Sequence, residues 1–290
     1  MLNGPREPEI MRKIAVVTVL ALLVTACSGV KLFYNLIDDI IWEAVEFHLN
    51  LEDEEEKAFT RQKVRELMDW HRTAMLPVYA RHFLELATIL EKGEVTRARL
   101  MAAFKEGRGL IEATVRGALP YVATILVRHR GTAKRTYFRD RMKERLNERL
   151  EEEKQPRKER LEKRIERIVD NFERFTGDLN DAQIAIIGKH ANRSIDDMAT
   201  RLANKRLRQK AFIEFLATGP SEKALTTYLD TLLIRPWEIE QPDYKAFSDG
   251  AIIRFREMLF KIVLSMTAEQ RKRTAATLRS YADDFTDLSR

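Results

Sequence analysis

Apolar residues in this chain recur at steps of three and four, and no run alternates as a half-buried strand would. Leu161, Ile165, Ile168, Phe172 and Phe175 form one such series; Met142, Leu146 and Leu150 form another. Helices built on this period are also long, because residues that turn the chain are scarce. The 290 residues include 11 Gly and 8 Pro, below the usual shares of about 7% and 5%. A sandwich or barrel needs turn signals every 8–12 residues or so, and they are missing. An apolar share of 44% is enough to bury a core, which excludes a disordered chain. The fold class is therefore all-α, an elongated bundle of long, partly kinked helices.

The pattern predicts helices over 31–48, 52–92, 95–130, 132–175, 180–217, 221–234, 243–264 and 267–288. Pro77 lacks an N–H and should free the carbonyl of Thr73, bending the second helix. Gly93 should end that helix, and Pro156 marks a break in the fourth.

The N-terminus reads as an export signal. Arg12 and Lys13 precede an uncharged, largely apolar run from Ile14 to Val24, followed by Thr25, Ala26 and Cys27. The run falls short of the roughly 20 apolar residues needed to span a bilayer. Val24-Thr25-Ala26-Cys27 resembles the bacterial lipobox, and Cys27 is the only cysteine. That resemblance implies cleavage before Cys27 and its lipidation, palmitate included. Residues 1–26 are then a signal peptide, with Met11 the true start, and 27–290 one helical lipoprotein domain. Ser28 lacks the aspartate that retains Gram-negative lipoproteins at the inner membrane. The expected location is the periplasmic face of the outer membrane, with the lipid on Cys27 held in the bilayer.

Two segments share the form apolar, cap, two residues, glutamine: Leu179-Asn180-Asp181-Ala182-Gln183 and Met266-Thr267-Ala268-Glu269-Gln270. In each, the cap side chain accepts from an orphan N–H of the first turn while the glutamine reaches back to the cap's own N–H. They resemble the L-T-x-x-Q boxes of small periplasmic helical stress chaperones. Asp69-Trp70-His71-Arg72-Thr73-Ala74-Met75-Leu76-Pro77-Val78-Tyr79 resembles the Trp-His-Arg…Leu-Pro-x-Tyr segment of an uncharacterised family of proteobacterial lipoproteins. Tyr34-Asn35 matches that family's Tyr-Asn, and Met75 stands where the family commonly has glutamate. The family has no established activity, so the resemblance implies location and architecture.

The chemistry-bearing residues are few. His48, His71, His82, His129 and His190 are the histidines, and no two are four apart on a helix face. No metal and no cofactor is therefore expected. Trp70, His71, Arg72 and Tyr79 are candidate binding residues: Trp70 as a stacking platform, Arg72 as an anion clamp, His71 as a proton carrier. Alternatively, Trp70 packs in the core while His71 and Arg72 satisfy carbonyls freed at Pro77. Residues 128–167 hold 16 Lys or Arg against 9 Asp or Glu, a net of +7. Within them Arg139, Arg141, Arg145 and Arg149 are candidate contacts to an anionic envelope polymer or protein. The same stretch also reads as a solvated helix laced by Glu–Arg pairs. Export removes nucleic acid as a partner. The reading is a non-enzymatic binding, scaffolding or chaperone-like role in the envelope. The competing one is an enzyme acting on an envelope polymer around Trp70-His71-Arg72.

Overall fold

The computed structural model describes residues 29–239 and 241–290. The expected signal peptide, the lipobox-like segment with Cys27, and Ser28 lie outside the described residues. Helix α1 (Gly29–His48) is followed by α2 (Glu54–Trp70). Asp53 caps α2 by accepting the Glu55 N–H, and Glu54, Glu55 and Glu56 sit at the positive end of the helix dipole.

The bend anticipated at Pro77 takes the form of a π turn. Residues His71–Met75 adopt it between α2 and α3 (Leu76–Glu91), and the Leu76 N–H bonds to the His71 carbonyl five residues back. A proline at 77 cannot donate to Thr73, and widening the preceding turn carries the chain past the missing bond without ending the helix. Gly93 then closes α3 at φ 68°, where a side chain would be strained.

Helix α4 (Arg97–Leu126) starts at Thr96, whose hydroxyl accepts the Arg99 N–H, and runs on through Gly107, Gly109, Gly117 and Pro120. Helices α5 (Thr132–Glu153) and α6 (Arg157–Thr176) part at Pro156. The stretch 180–217, read from sequence as one helix, is two: α7 (Asp181–Ser194) and α8 (Asp197–Ala217). Its break follows from side chains competing with the backbone. Ser194 donates to the His190 carbonyl at 2.9 Å and accepts from Arg164 at 2.9 Å. Arg157 meanwhile donates to the Asn192 carbonyl and to Asp196. Helix α9 (Glu222–Ile234), a short 3-10 turn at Pro236–Glu238, α10 (Tyr244–Leu264) and α11 (Ala268–Leu288) complete the order. Among the described residues the regular structure is all helical, and none of the helices is long and apolar enough to cross a membrane.

Four apolar clusters hold these helices among the described residues, one of them Tyr34, Met68 and Leu76 where α1 meets α2 and α3. The largest joins α2, α4, α8 and α9 through Val64, Ala123, Phe212, Leu225 and Leu229. A second lies where α11 runs along α3, with Ala87, Leu90, Ala275 and Leu278 buried. In the third, the α6 series Ile165, Ile168 and Phe172 packs on Ile187, Met258 and Ile262 of α7 and α10. Each fully buried aliphatic or aromatic side chain contributes about 1.5–3 kcal/mol. The wide apolar stripe of α1 is only partly used. Ile37, Ile41 and Val45 pack inward, while Leu36 and Ile40 remain 49% and 46% exposed.

Candidate functional site

The π turn brings the Trp70–Tyr79 segment together with α1. The Tyr34 hydroxyl lies 2.9 Å from His71 Nδ1. Burial pushes the Tyr34 hydroxyl up and the His71 imidazole down from their ordinary values, Arg72 opposing the first of these. Burial thus favours the neutral form of both, and the two share a hydrogen bond whose direction is set by the imidazole tautomer. The Arg72 guanidinium stands 5.7 Å from the Tyr34 ring centroid, and the Tyr79 ring 5.7 Å from that of His71. Tyr79 shares a hydrogen bond with the Thr114 hydroxyl on α4. Side chains of α1 and α4, rather than carbonyls freed at Pro77, thus engage His71, Arg72 and Tyr79. Trp70 packs on Tyr121 at 6.3 Å and lies so close to Gly117 that a Cβ there would overlap its indole.

Tyr79 also forms part of the wall of a feature that the sequence did not announce. Between α3, α4, α10 and α11 lies a chamber of about 540 Å³. Phe83 and Leu86 of α3, Leu100 and Phe104 of α4, Phe260 of α10 and Phe285 of α11 line it. The chamber exists because α4 turns small residues toward α3. Ala103 and Gly107, four apart, share one helix face and leave space that larger side chains would fill. That pair of small residues on an apolar face was the available signal. Arg99 and Arg108 stand at the rim. Arg99 bonds to Glu94 at 2.7 Å, and Arg108 lies a loose 3.7 Å from Glu112. A mostly apolar cavity of this size, with a few polar groups at its edge, has the dimensions of a small-molecule site, usually about 300–1,000 Å³.

One wall of the chamber carries a histidine. His82 is buried at 7% exposure, and its Nδ1 has no hydrogen-bond partner. Glu106 Oε2 on α4 lies 3.3 Å from it, and Glu85 is one turn further along α3. One ligand atom from each of His82, Glu85 and Glu106 falls within 4.8 Å of the others.

The basic stretch is distributed otherwise. Arg145 bonds to Glu148 at 3.0 Å, Arg149 to Glu152 at 2.8 Å, and Arg141 to Glu144; Arg139 pairs with Asp140. Arg141 and Arg145 also lie over the Phe47 ring of α1. Arg139 reaches a groove between α5 and α8 whose floor includes Met142, Leu146 and Leu207, and whose edge includes Lys143, Arg206 and Lys210. The four arginines therefore do not converge on one site. Three serve a row of i, i+3 pairs, and one borders the groove.

The model of a family of unknown function, DUF6279, matches residues 48–245. The chain belongs to DUF6279. The DUF6279 match takes in the Trp70–Tyr79 segment, the α3 and α4 walls of the chamber and the Leu179 box. Tyr34, the Met266 box and the α11 wall lie beyond it. No curated protein and no solved structure matches the chain.

Proposed function

We propose that this DUF6279 protein is a lipid-anchored envelope protein with a non-enzymatic binding role, and that its chamber takes an acyl chain of an anionic amphiphile. The chamber carries the reading. Its aromatic and aliphatic walls suit a hydrocarbon chain, and Arg99 and Arg108 at the rim suit an anionic head. The anchor rests on Cys27 and the apolar run before it. From that cysteine α1 starts two residues on and leaves Leu36 and Ile40 exposed near the membrane end. Ser28 favours the outer membrane, periplasmic face. The charged α5 surface supports contact with an anionic envelope component through long-range attraction. Against the enzyme reading, the half-buried Trp70 indole packs on Gly117 and Tyr121, and the His71 Nδ1 is committed to Tyr34.

The test is titration of the Cys27→Ala chain with a fluorescent fatty acid and with phosphatidylglycerol. Saturable binding at one site per chain, weakened by filling the chamber with Ala103→Trp, is the expected result. Binding that is absent, or indifferent to Ala103→Trp, overturns the chamber. Labelled palmitate incorporated into wild type but not Cys27→Ala, with fractionation to the outer membrane, tests the anchor independently.

A further inference from the structure

Histidine pairs are not the only way two helices can grip a cation. His82 and Glu85 are three apart on α3, so both project from one face. Glu106 comes to them from α4, and the residue after it, Gly107, presents bare backbone to the imidazole. A Cβ at 107 would stand 3.4 Å from His82 Nε2, so the Nε2 edge of the ring faces α4 across a space that a methyl group would fill. The other ring nitrogen, Nδ1, faces Glu106 Oε2 at 3.3 Å.

That nitrogen is the informative atom. It belongs to a side chain more than nine-tenths buried, and it has no hydrogen-bond partner. Buried polar atoms are rarely left so, because the lost hydration is not replaced. Glu106 Oε2 at 3.3 Å is close but does not make a hydrogen bond with it. The separation has another meaning. Two donors bound to one tetrahedral zinc at about 2.0–2.2 Å lie about 3.3–3.6 Å apart. His82 Nδ1 and Glu106 Oε2 already have that spacing. Glu85 is exposed, and its carboxylate already offers a ligand atom within 4.8 Å of the other two.

We propose that His82, Glu85 and Glu106 form a binding site for a divalent transition metal of the zinc class. One imidazole and two carboxylates are a donor set of the right hardness, and the two negative charges are neutralised by the ion. Three protein ligands leave a fourth position for water or an anionic group. The site adjoins the chamber through His82 and Gly107 but does not depend on an acyl ligand being bound there.

Isothermal titration of zinc chloride into the EDTA-stripped full chain tests it, with bound metal counted by elemental analysis. The chain carries Cys27→Ala, which removes the one competing thiol. Glu85→Gln and Glu106→Gln change exposed side chains, so circular dichroism should be unaltered. The expected result is one zinc per chain, with affinity falling by at least about tenfold in either variant and further in the double variant. Cobalt in place of zinc should give a visible tetrahedral spectrum that the double variant lacks. Wild type that holds no zinc, or a double variant that holds it equally well, overturns the site and leaves His82 and Glu106 as an ion pair. Either outcome is independent of fatty-acid binding.

Discussion

Gln183 and Gln270, 87 residues apart, exchange two side-chain hydrogen bonds of 2.9 Å, each amide donating to the other. Each is also the glutamine of a complete capping box: Asn180 and Thr267 donate their backbone N–H groups to these same amide oxygens at 3.1 and 3.0 Å. Spare amide hydrogens go to the Asp178 carbonyl from Gln270 and the Ser265 carbonyl from Gln183. Both side chains are buried, at 0% and 6% exposure. Two local helix-start devices have become one polar joint between α7 and α11.

The joint makes the two glutamines interdependent. Gln183→Ala should cost about 1–3 kcal/mol, because it strands buried groups of Gln270 as well as removing a cap. Gln270→Ala should cost a similar amount. The double variant should fall clearly short of the sum, since the second substitution removes the groups the first left unpaired. Urea denaturation of the four proteins gives the cycle; additive costs would mean that the boxes act separately.

Gly117→Ala ordinarily stabilises a helix interior by about 0.5–1 kcal/mol. Here the sign reverses, because the new methyl overlaps the Trp70 indole. A destabilisation of about 1–3 kcal/mol is expected, with a changed tryptophan emission. Trp70→Ala alone should cost about 2–4 kcal/mol, less than a fully buried aromatic because Trp70 is half-buried, and in that background Gly117→Ala should regain its ordinary stabilising effect. Melting of the single and double variants distinguishes this from a tryptophan that packs on nothing.

Acid should loosen the fold before its carboxylates titrate. His71, His129 and His190 are each held below the ordinary imidazole value of 6.5, burial being the largest cause. Between those lowered values and 6.5 the unfolded chain binds more protons than the folded one, so stability rises with pH in that window. It is complete above about pH 6.5–7 and is lost as pH falls through the lowered values. The urea midpoint should drop between about pH 7.5 and 5.5, and less so in a His71→Gln, His190→Gln double variant. An unchanged midpoint over that range would contradict the prediction.

The basic helix gives a salt-dependent prediction. Removing Arg139, Arg141, Arg145 and Arg149 as glutamines should weaken binding to anionic vesicles or cell-wall sacculi and flatten its dependence on ionic strength. Reversal to glutamate is a poorer test. It sets like charges at i, i+3 against Glu144, Glu148 and Glu152, each such pair costing about 0.2–0.5 kcal/mol. Cosedimentation at low and high salt measures the effect; a glutamine variant that binds as wild type does would make α5 a solvated strut.

What could be read from the sequence is what is settled within about a turn of helix. The caps at Asn180 and Thr267, the stop at Gly93, the break at Pro156 and the disturbance before Pro77 depend on hydrogen bonds spanning three to five residues. The fold class followed, because apolar residues spaced at three and four can bury themselves only as packed helices. The break between α7 and α8 was not legible. The groups that turn the chain there include Arg157 and Arg164, which arrive from α6. The chamber, the approach of Glu106 to His82, the Tyr34–His71 contact and the Gln183–Gln270 joint were decided by tertiary structure alone. Each needs side chains from different helices to meet, and which faces meet is set by the packing of the whole core rather than by any local pattern.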